Sequence, residues 1–351
     1  MNSSASKARS GERELSHIPA RPFGWAGFVF TLEQSDRLEQ REVAVQQSTD
    51  IKPVPRARRF SLAAWRARTA WLFLAPSLLI LVLVAAYPLF RTFQLSLFDV
   101  SILKFPLEPV WVGFDNYVAL FSDPRWWRSV WNTVNFTFFS VFFETVLGLI
   151  IALIVHSEFR GRGLVRTAML VPWAIPGVVS SQMWRWMFND VYGVINDLLM
   201  KLRIISAPVA WLAEPAFVMP AIIAIDVWKT TPFMALILLA GLQGIPKELY
   251  EAARVDGASP VQQFWRITWP LLRPSLLVAL IFRTLDALRV FDMIYIVAGS
   301  QVETISMSIY ARQQLISFGS LGYGSAVATG IFLILAMYIT AYLVALKVEV
   351  K

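Results

Sequence analysis

Apolar residues run in long blocks along this chain. No charged side chain falls between Thr69 and Phe90, between Thr167 and Trp184, or between Gln313 and Leu346. Three further stretches, near 132–156, 216–241 and 274–298, are almost as apolar but carry isolated charges. A hydrocarbon core about 30 Å thick needs about 20 helical residues to cross it. The pattern therefore predicts an all-α membrane protein with six spanning helices over 69–347.

Proline and glycine punctuate two of these spans. Pro172, Pro176 and Gly177 interrupt the third, and Pro220 and Pro232 lie in the fourth. Proline removes an intrahelical donor, so such helices bend or break and neighbours must satisfy the freed carbonyls. That suits a helix lining a pathway, and it equally suits the ordinary abundance of these residues in membrane helices.

Residues 1–68 are different: polar, rich in Ser, Glu, Gln and Arg, and ending in the cluster Arg56, Arg58, Arg59, Arg66 and Arg68. They are expected to form a disordered basic tail. The apolar segment Phe23–Leu32 is too short to span, and no signal peptide is read there. With this tail inside, Lys and Arg at 160–166, 247–273 and 347–351 share its side. They outnumber those on the other side, so both termini are expected in the cytoplasm of a multi-pass inner-membrane protein.

Composition narrows the chemistry. Hydrophobic residues make up 56% and charged residues 16% of 351 positions, too apolar for an ordinary soluble domain. The chain has no cysteine, which excludes disulfides, thiolate metal sites and a cysteine nucleophile. His17 and His156 are too far apart to make a metal site alone, and no metal is expected. The net charge of +8 follows from basic loops in a membrane protein. No basic patch interleaved with exposed aromatics points to nucleic acid.

The segment 242–274, LQGIPKELYEAARVDGASPVQQFWRITWPLLRP, reads as two short helices. Pro246 suits a first turn, Glu248 and Glu251 fall where the helix dipole favours acids, and Gly257 suits a left-handed terminus. Ser259 caps a second helix with Pro260 at its first position, and Pro270 is expected to stop it. Leu249, Ala252, Ala253 and Asp256 share one face; Val261, Phe264, Trp265 and Thr268 share another. Isolated helices shorter than about 12–15 residues are marginal in water, so these must dock on something. That is either the chain's own bundle or the cleft of another protein, for which the paired alanines leave a closely approachable surface.

EAARVDGASPVQQFWRITWP, from Glu251 to Pro270, resembles the EAA loop of ABC-importer permeases, with Trp269 where that family usually has Leu. GFDNYVALFSDPRWWRSVWNT (113–133), WRWMFNDVYGVIN (184–196), WKTTPFMALILLAGLQGIP (228–246) and RVFDMIYIVAG (289–299) are similar to the binding-protein-dependent carbohydrate branch, typified by the larger maltose-transporter permease subunit. After Gly299 that branch often continues Gly-Gly-Pro, whereas this chain has Ser300 and Gln301. The resemblance covers about residues 70–346 and implies a type I ABC importer permease fold with a cytoplasmic coupling loop at 245–269. It implies that Glu251, Ala252, Ala253, Asp256, Gly257, Phe264 and Pro270 serve ATPase coupling, with Glu251 pairing with an ATPase arginine. The implied partners are a homologous second permease subunit, an ATPase dimer, an extracytoplasmic solute-binding protein and membrane lipid. No GxxxxGK[ST] phosphate loop occurs in this chain. No cofactor is therefore expected here; ATP and Mg belong to the partner ATPase, and the chain is expected to be a non-catalytic transport subunit.

Charges inside spans are costly, at least about 2.5–3.5 kcal/mol each at the bilayer centre. Asp226, Lys229, Arg283, Asp286, Arg289 and Asp292 should therefore face the bundle interior or a wet cavity. Asp226 with Lys229, and the series Arg283, Asp286, Arg289 and Asp292, could instead neutralise one another at i,i+3. Glu144 is read as a helix-packing acid with a polar partner. The resemblance implies sugar contacts at Asp226, Trp228, Lys229, Thr230, Phe233, Arg283 and Ala287, and Asp286 joins them as a path candidate. Asp226, Lys229 and Arg283 depart from the residues of the maltose pattern, which puts maltose itself in doubt. The expected cargo is a di- or oligosaccharide. The alternatives are another polar solute such as glycerol phosphate, or an ion-coupled secondary transporter using the buried charges.

Overall fold

The computed structural model describes residues 62–345 apart from 104, 106 and 107. Most of the tail expected over 1–68 lies outside the described residues. Contacts divide the chain into two units, Met1–Leu79 and Ile80–Lys351. The first described helix, α1 (Leu62–Leu81), begins within the segment read as tail. It runs through a π turn at Val82–Ala86 into α2 (Tyr87–Leu95).

In the second unit a two-stranded hairpin pairs β1 (Phe98–Asp99) with β2 (Val110–Trp111), Phe98 opposite Trp111. Then come α3 (Asp115–Ser122) and the 33-residue α4 (Pro124–His156). Asp123 caps α4 by accepting the Arg125 N–H at 2.7 Å, with Pro124 at the position that needs no donor. The third expected span is broken into α5 (Arg162–Ala168), α6 (Val171–Ala174) and α7 (Gly177–Met187). Residues before proline avoid the α region, and Ile175 (ψ 130°) and Pro176 (ψ 140°) are extended, so the helix restarts at Gly177. The two halves meet at 90°.

After α8 (Val194–Lys201), α9 (Pro215–Gln243) runs unbroken through Pro220 and Pro232. The hydroxyls of Thr230 and Thr231, just before Pro232, lie 2.6 Å from the carbonyls of Asp226 and Val227. The chain continues through α10 (Lys247–Val255), α11 (Pro260–Gln263), α12 (Trp269–Leu288), α13 (Asp292–Ala298) and α14 (Met307–Arg312) to α15 (Leu321–Ala345).

Among the described residues four helices are long and apolar enough to cross a bilayer: Trp65–Leu95, α4, α9 and Leu321–Val344. The bent pair makes a fifth if it counts as one span. The fifth expected stretch, 274–298, is divided between α12 and α13. Arg273, Arg283 and Asp286 interrupt the apolar run of α12.

Helix α9 forms the centre of the second unit and is more than half buried along its apolar window. One core gathers Phe136, Ile222, Ile225, Ile294 and Tyr310; another gathers Ala152, Met234, Leu238 and Leu272. In lipid, helices associate by close packing more than by a hydrophobic drive, and two glycines supply the approach. A Cβ on Gly148 would lie 2.8 Å from Met234 Cγ, and one on Gly241 would lie 2.4 Å from Ser275 Oγ.

Candidate functional site

Two regions carry the candidate residues. The first is the loop 245–269. Pro246 precedes α10, Glu248 occupies its first turn and Arg254 its last, in keeping with the helix dipole. The helix ends in a Schellman motif. Ala258 N–H donates to Ala253 O at 2.8 Å and Gly257 N–H to Arg254 O at 3.1 Å, with Gly257 at φ +77°. Ser259 then opens α11 with a reciprocal capping box, its Oγ accepting Gln262 N–H at 3.3 Å and its N–H meeting Gln262 Oε1 at 2.8 Å.

Pro270 does not stop this second helix, contrary to expectation. A π turn at Phe264–Thr268 leads directly into α12, with Pro270 in its first turn. Trp269 N–H reaches back five residues to Phe264 O. The widened turn makes room for a ring that would clash in a regular α-helix.

The loop is rooted at its base and open at its tip. Tyr250 and Thr268 share a hydroxyl hydrogen bond of 2.9 Å, and Tyr250, Ile267 and Trp269 pack on the second core. Glu251, Ala252, Asp256, Gly257 and Pro270 are exposed; Ala253 and Phe264 are half-buried. Val255 (88%), Val261 (67%) and Trp265 (58%) present apolar surface on the same exposed segment. Beside the base, Lys247 Nζ lies 2.8 Å from Glu158 Oε1. That hydrogen bond holds the Glu158 carboxyl below the usual carboxylate range.

The second region is a buried ion cluster joining α4, α9 and α12. Arg283, 3% exposed, engages Glu144 side-on, with Nε 2.5 Å from Oε2 and Nη2 2.9 Å from Oε1. Nη2 also meets Asp226 Oδ2, and Nη1 lies 3.0 Å from Asp286 Oδ2. Thr230 Oγ1 lies 2.6 Å from Glu144 Oε1 as well as from Asp226 O, so its single proton is shared between these two acceptors. A buried charge persists only when paired and hydrogen-bonded, and this pairing spans 139 positions of sequence between Glu144 and Arg283.

The i,i+3 partnership expected for Asp226 and Lys229 is not formed. Asp226 turns to Arg283, while Lys229 Nζ donates to Ile175 O at 2.6 Å. That carbonyl is freed by the break before Pro176, so the lysine caps the broken span. A Cβ on Gly177 would lie 3.9 Å from Asp292 Oδ2 and 4.0 Å from Lys229 Cε, which places both side chains at the break. The Arg283–Asp286 pair at i,i+3 does form.

Two aromatic pairs tie the same break to α9. Phe233 stacks on Trp173 with centroids 6.0 Å apart, and Trp228 meets Trp184 edge-on at 5.3 Å. Trp228 also lines a cavity of about 910 Å³ with Asn135, Phe143 and Met219. Ala287 is buried in the first core. Asp286, by contrast, keeps 70% of its side chain exposed. Sequence reasoning gave Glu144 a polar partner without naming Arg283. It missed the bond from Lys229 to Ile175, for which the proline break was the available signal.

Long apolar helices packed around a buried ion cluster, with a compact two-helix loop projecting from them, define an integral membrane protein of the polytopic transport class. Residues 144–348 match the family described as "Binding-protein-dependent transport system inner membrane component", and the chain belongs to that family. It is 44% identical over 280 residues to the trehalose/maltose transport system permease protein MalF of Thermococcus litoralis, covering 79% of this chain and 93% of that one. It is 41% identical to the sulfoquinovosyl glycerol transport system permease protein SmoG of Agrobacterium fabrum, covering 83% and 94%. Among solved structures it is similar to a chain of a bacterial ABC transporter involved in import of the acidic polysaccharide alginate. There the TM-score is 0.69 and the identity 25%, with 82% of this chain and all of that one covered.

Proposed function

We propose that the chain is a translocation subunit of an ATP-driven importer for a di- or oligosaccharide. A solute-binding protein delivers the sugar, which passes between this subunit and a homologous partner. An ATPase dimer docks on the 245–269 loop; both termini lie on that cytoplasmic side. ATP and Mg bind to those ATPase subunits, and this chain contributes no hydrolytic residue. The observation that carries this reading is the loop itself. Its base is anchored through Tyr250 and Thr268, while Glu251, Ala252 and the apolar Val255, Val261 and Trp265 remain open at the tip. A short helix with an open small-residue face beside a carboxylate suits the cleft of another protein.

Within the membrane, Trp228, Lys229, Thr230, Phe233 and Asp286 flank the proposed solute path. Asp226, Arg283 and Ala287 lie behind it as support. Indoles and phenyl rings pack on the apolar face of a sugar ring, and an open carboxylate oxygen accepts sugar hydroxyls.

The test is uptake by the purified complex in lipid vesicles. Glu251→Ala is expected to keep ATP hydrolysis while losing most sugar accumulation, with insertion unchanged. Accumulation equal to the parent at equal protein would reject the coupling role.

A further inference from the structure

We propose that Glu144 is a positioning residue for translocation, acting through Arg283 on the carboxylate of Asp286. The inference rests on the solute-path reading above. Glu144 sits on α4 and is fully buried, so it cannot touch a passing solute in this conformation. Both its oxygens are spent on Arg283, one of them also on Thr230. A side-on fork fixes the guanidinium plane as well as its position.

With Nε and Nη2 held by Glu144, and Nη2 shared with Asp226, the direction of Nη1 is set. Nη1 donates to Asp286 Oδ2 at 3.0 Å. Among the charged candidates on α9 and α12, Lys229 is committed to Ile175 O, and Asp226 and Arg283 are buried. Asp286 alone of these four is mostly exposed. One of its oxygens is fixed by arginine while the side chain as a whole stays mostly exposed, which preorganises an acceptor for the hydroxyl groups of a neutral sugar. Glu144 thus sets, from one helix away, the direction in which α12 offers its acceptor.

The experiment measures KM and kcat of uptake by the full complex in vesicles, using the labelled disaccharide that the parent accumulates fastest. Glu144→Gln keeps the side-chain shape but removes the charge that fixes the fork. It is expected to raise KM about tenfold, as is Asp286→Asn, since a hydrogen bond involving a charged group is of that order. Because both act on one acceptor, Asp286→Asn should add no further rise in the Glu144→Gln background. An unchanged KM in Glu144→Gln, or fully additive effects, overturns the proposal.

The neutral set Glu144→Gln/Asp226→Asn/Arg283→Gln separates positioning from stability. A raised KM at parental melting temperature supports positioning; a return of KM to the parent value overturns it. Should that set fail to assemble, the two-variant cycle alone decides. Parent uptake that needs no ATP would instead sink the importer reading.

Discussion

Substitution of Gly257 separates backbone strain from surface contact in the proposed coupling loop. Gly257 holds φ at +77°, and no heavy atom lies within 4 Å of where its Cβ would be. A side chain there meets no obstacle within this chain, so the cost is conformational. The left-handed region costs an L-residue about 1–2 kcal/mol, with Asn the best tolerated after Gly. Through a thermal energy near 0.59 kcal/mol, a penalty of that size lowers the population of the native turn by a factor of about 5–30. Valine, being β-branched, fits that region worst of the three. The assay is ATP hydrolysed per sugar imported, measured on purified complex in vesicles at matched protein. The ratio should rise in the order Gly257→Asn, Gly257→Ala, Gly257→Val. If Ala and Val match the parent, the turn does not serve coupling. If Asn is as damaging as Val, something from another chain packs against the glycine and the strain argument is wrong.

Other consequences follow from the packing. Arg283→Met leaves Glu144 and Asp226 buried without their cation, and breaking such a set costs about 3–5 kcal/mol; a markedly lower melting temperature of the purified complex is expected, and an unchanged one would contradict the pairing. Gly148→Leu forces atoms into the space of Met234, and overpacking of about 1–3 kcal/mol should also lower the melting temperature, whereas Gly163→Leu, with nothing within 4 Å, should not. Lys247→Met removes the partner that depresses the Glu158 pKa. A depressed folded pKa adds stability above the unfolded value and loses it as pH falls through the folded one. The parent should therefore show a small acid-side loss, below the usual carboxylate range, that the variant lacks in a pH series of melting temperatures.

The spans at Trp65–Leu95 and Leu321–Val344 were legible because charge is excluded from windows long enough to cross lipid, whereas the charge-free window 167–184 is broken before Gly177 and α4 and α9 span despite their internal charges. The two-helix loop was legible to individual residues: Gly257 lies in the left-handed region, and Ser259 with Gln262 closes a capping box. These are local effects, decided by a few neighbours in sequence. Pro270 was misjudged because a π turn, which no residue pattern announces, precedes it. The partners of the intramembrane charges were equally opaque. Asp226 has a lysine three residues away and pairs instead with Arg283, 57 positions distant. Spacing along one helix cannot weigh that choice, because the competing acceptor, Ile175 O, exists only once the preceding span has broken at Pro176.

The π turn has a structural consequence. Backbone torsions at Gln263, Phe264, Thr268 and Trp269 are helical, so α11, the turn and α12 follow one another without a loop between them. At about 1.5 Å per residue, roughly 35 Å separates Pro260 from Arg283. In the proposed coupling role, Val261 and Trp265 at the exposed end therefore belong to the same continuous helical segment as Arg283, whose guanidinium joins α4, α9 and α12.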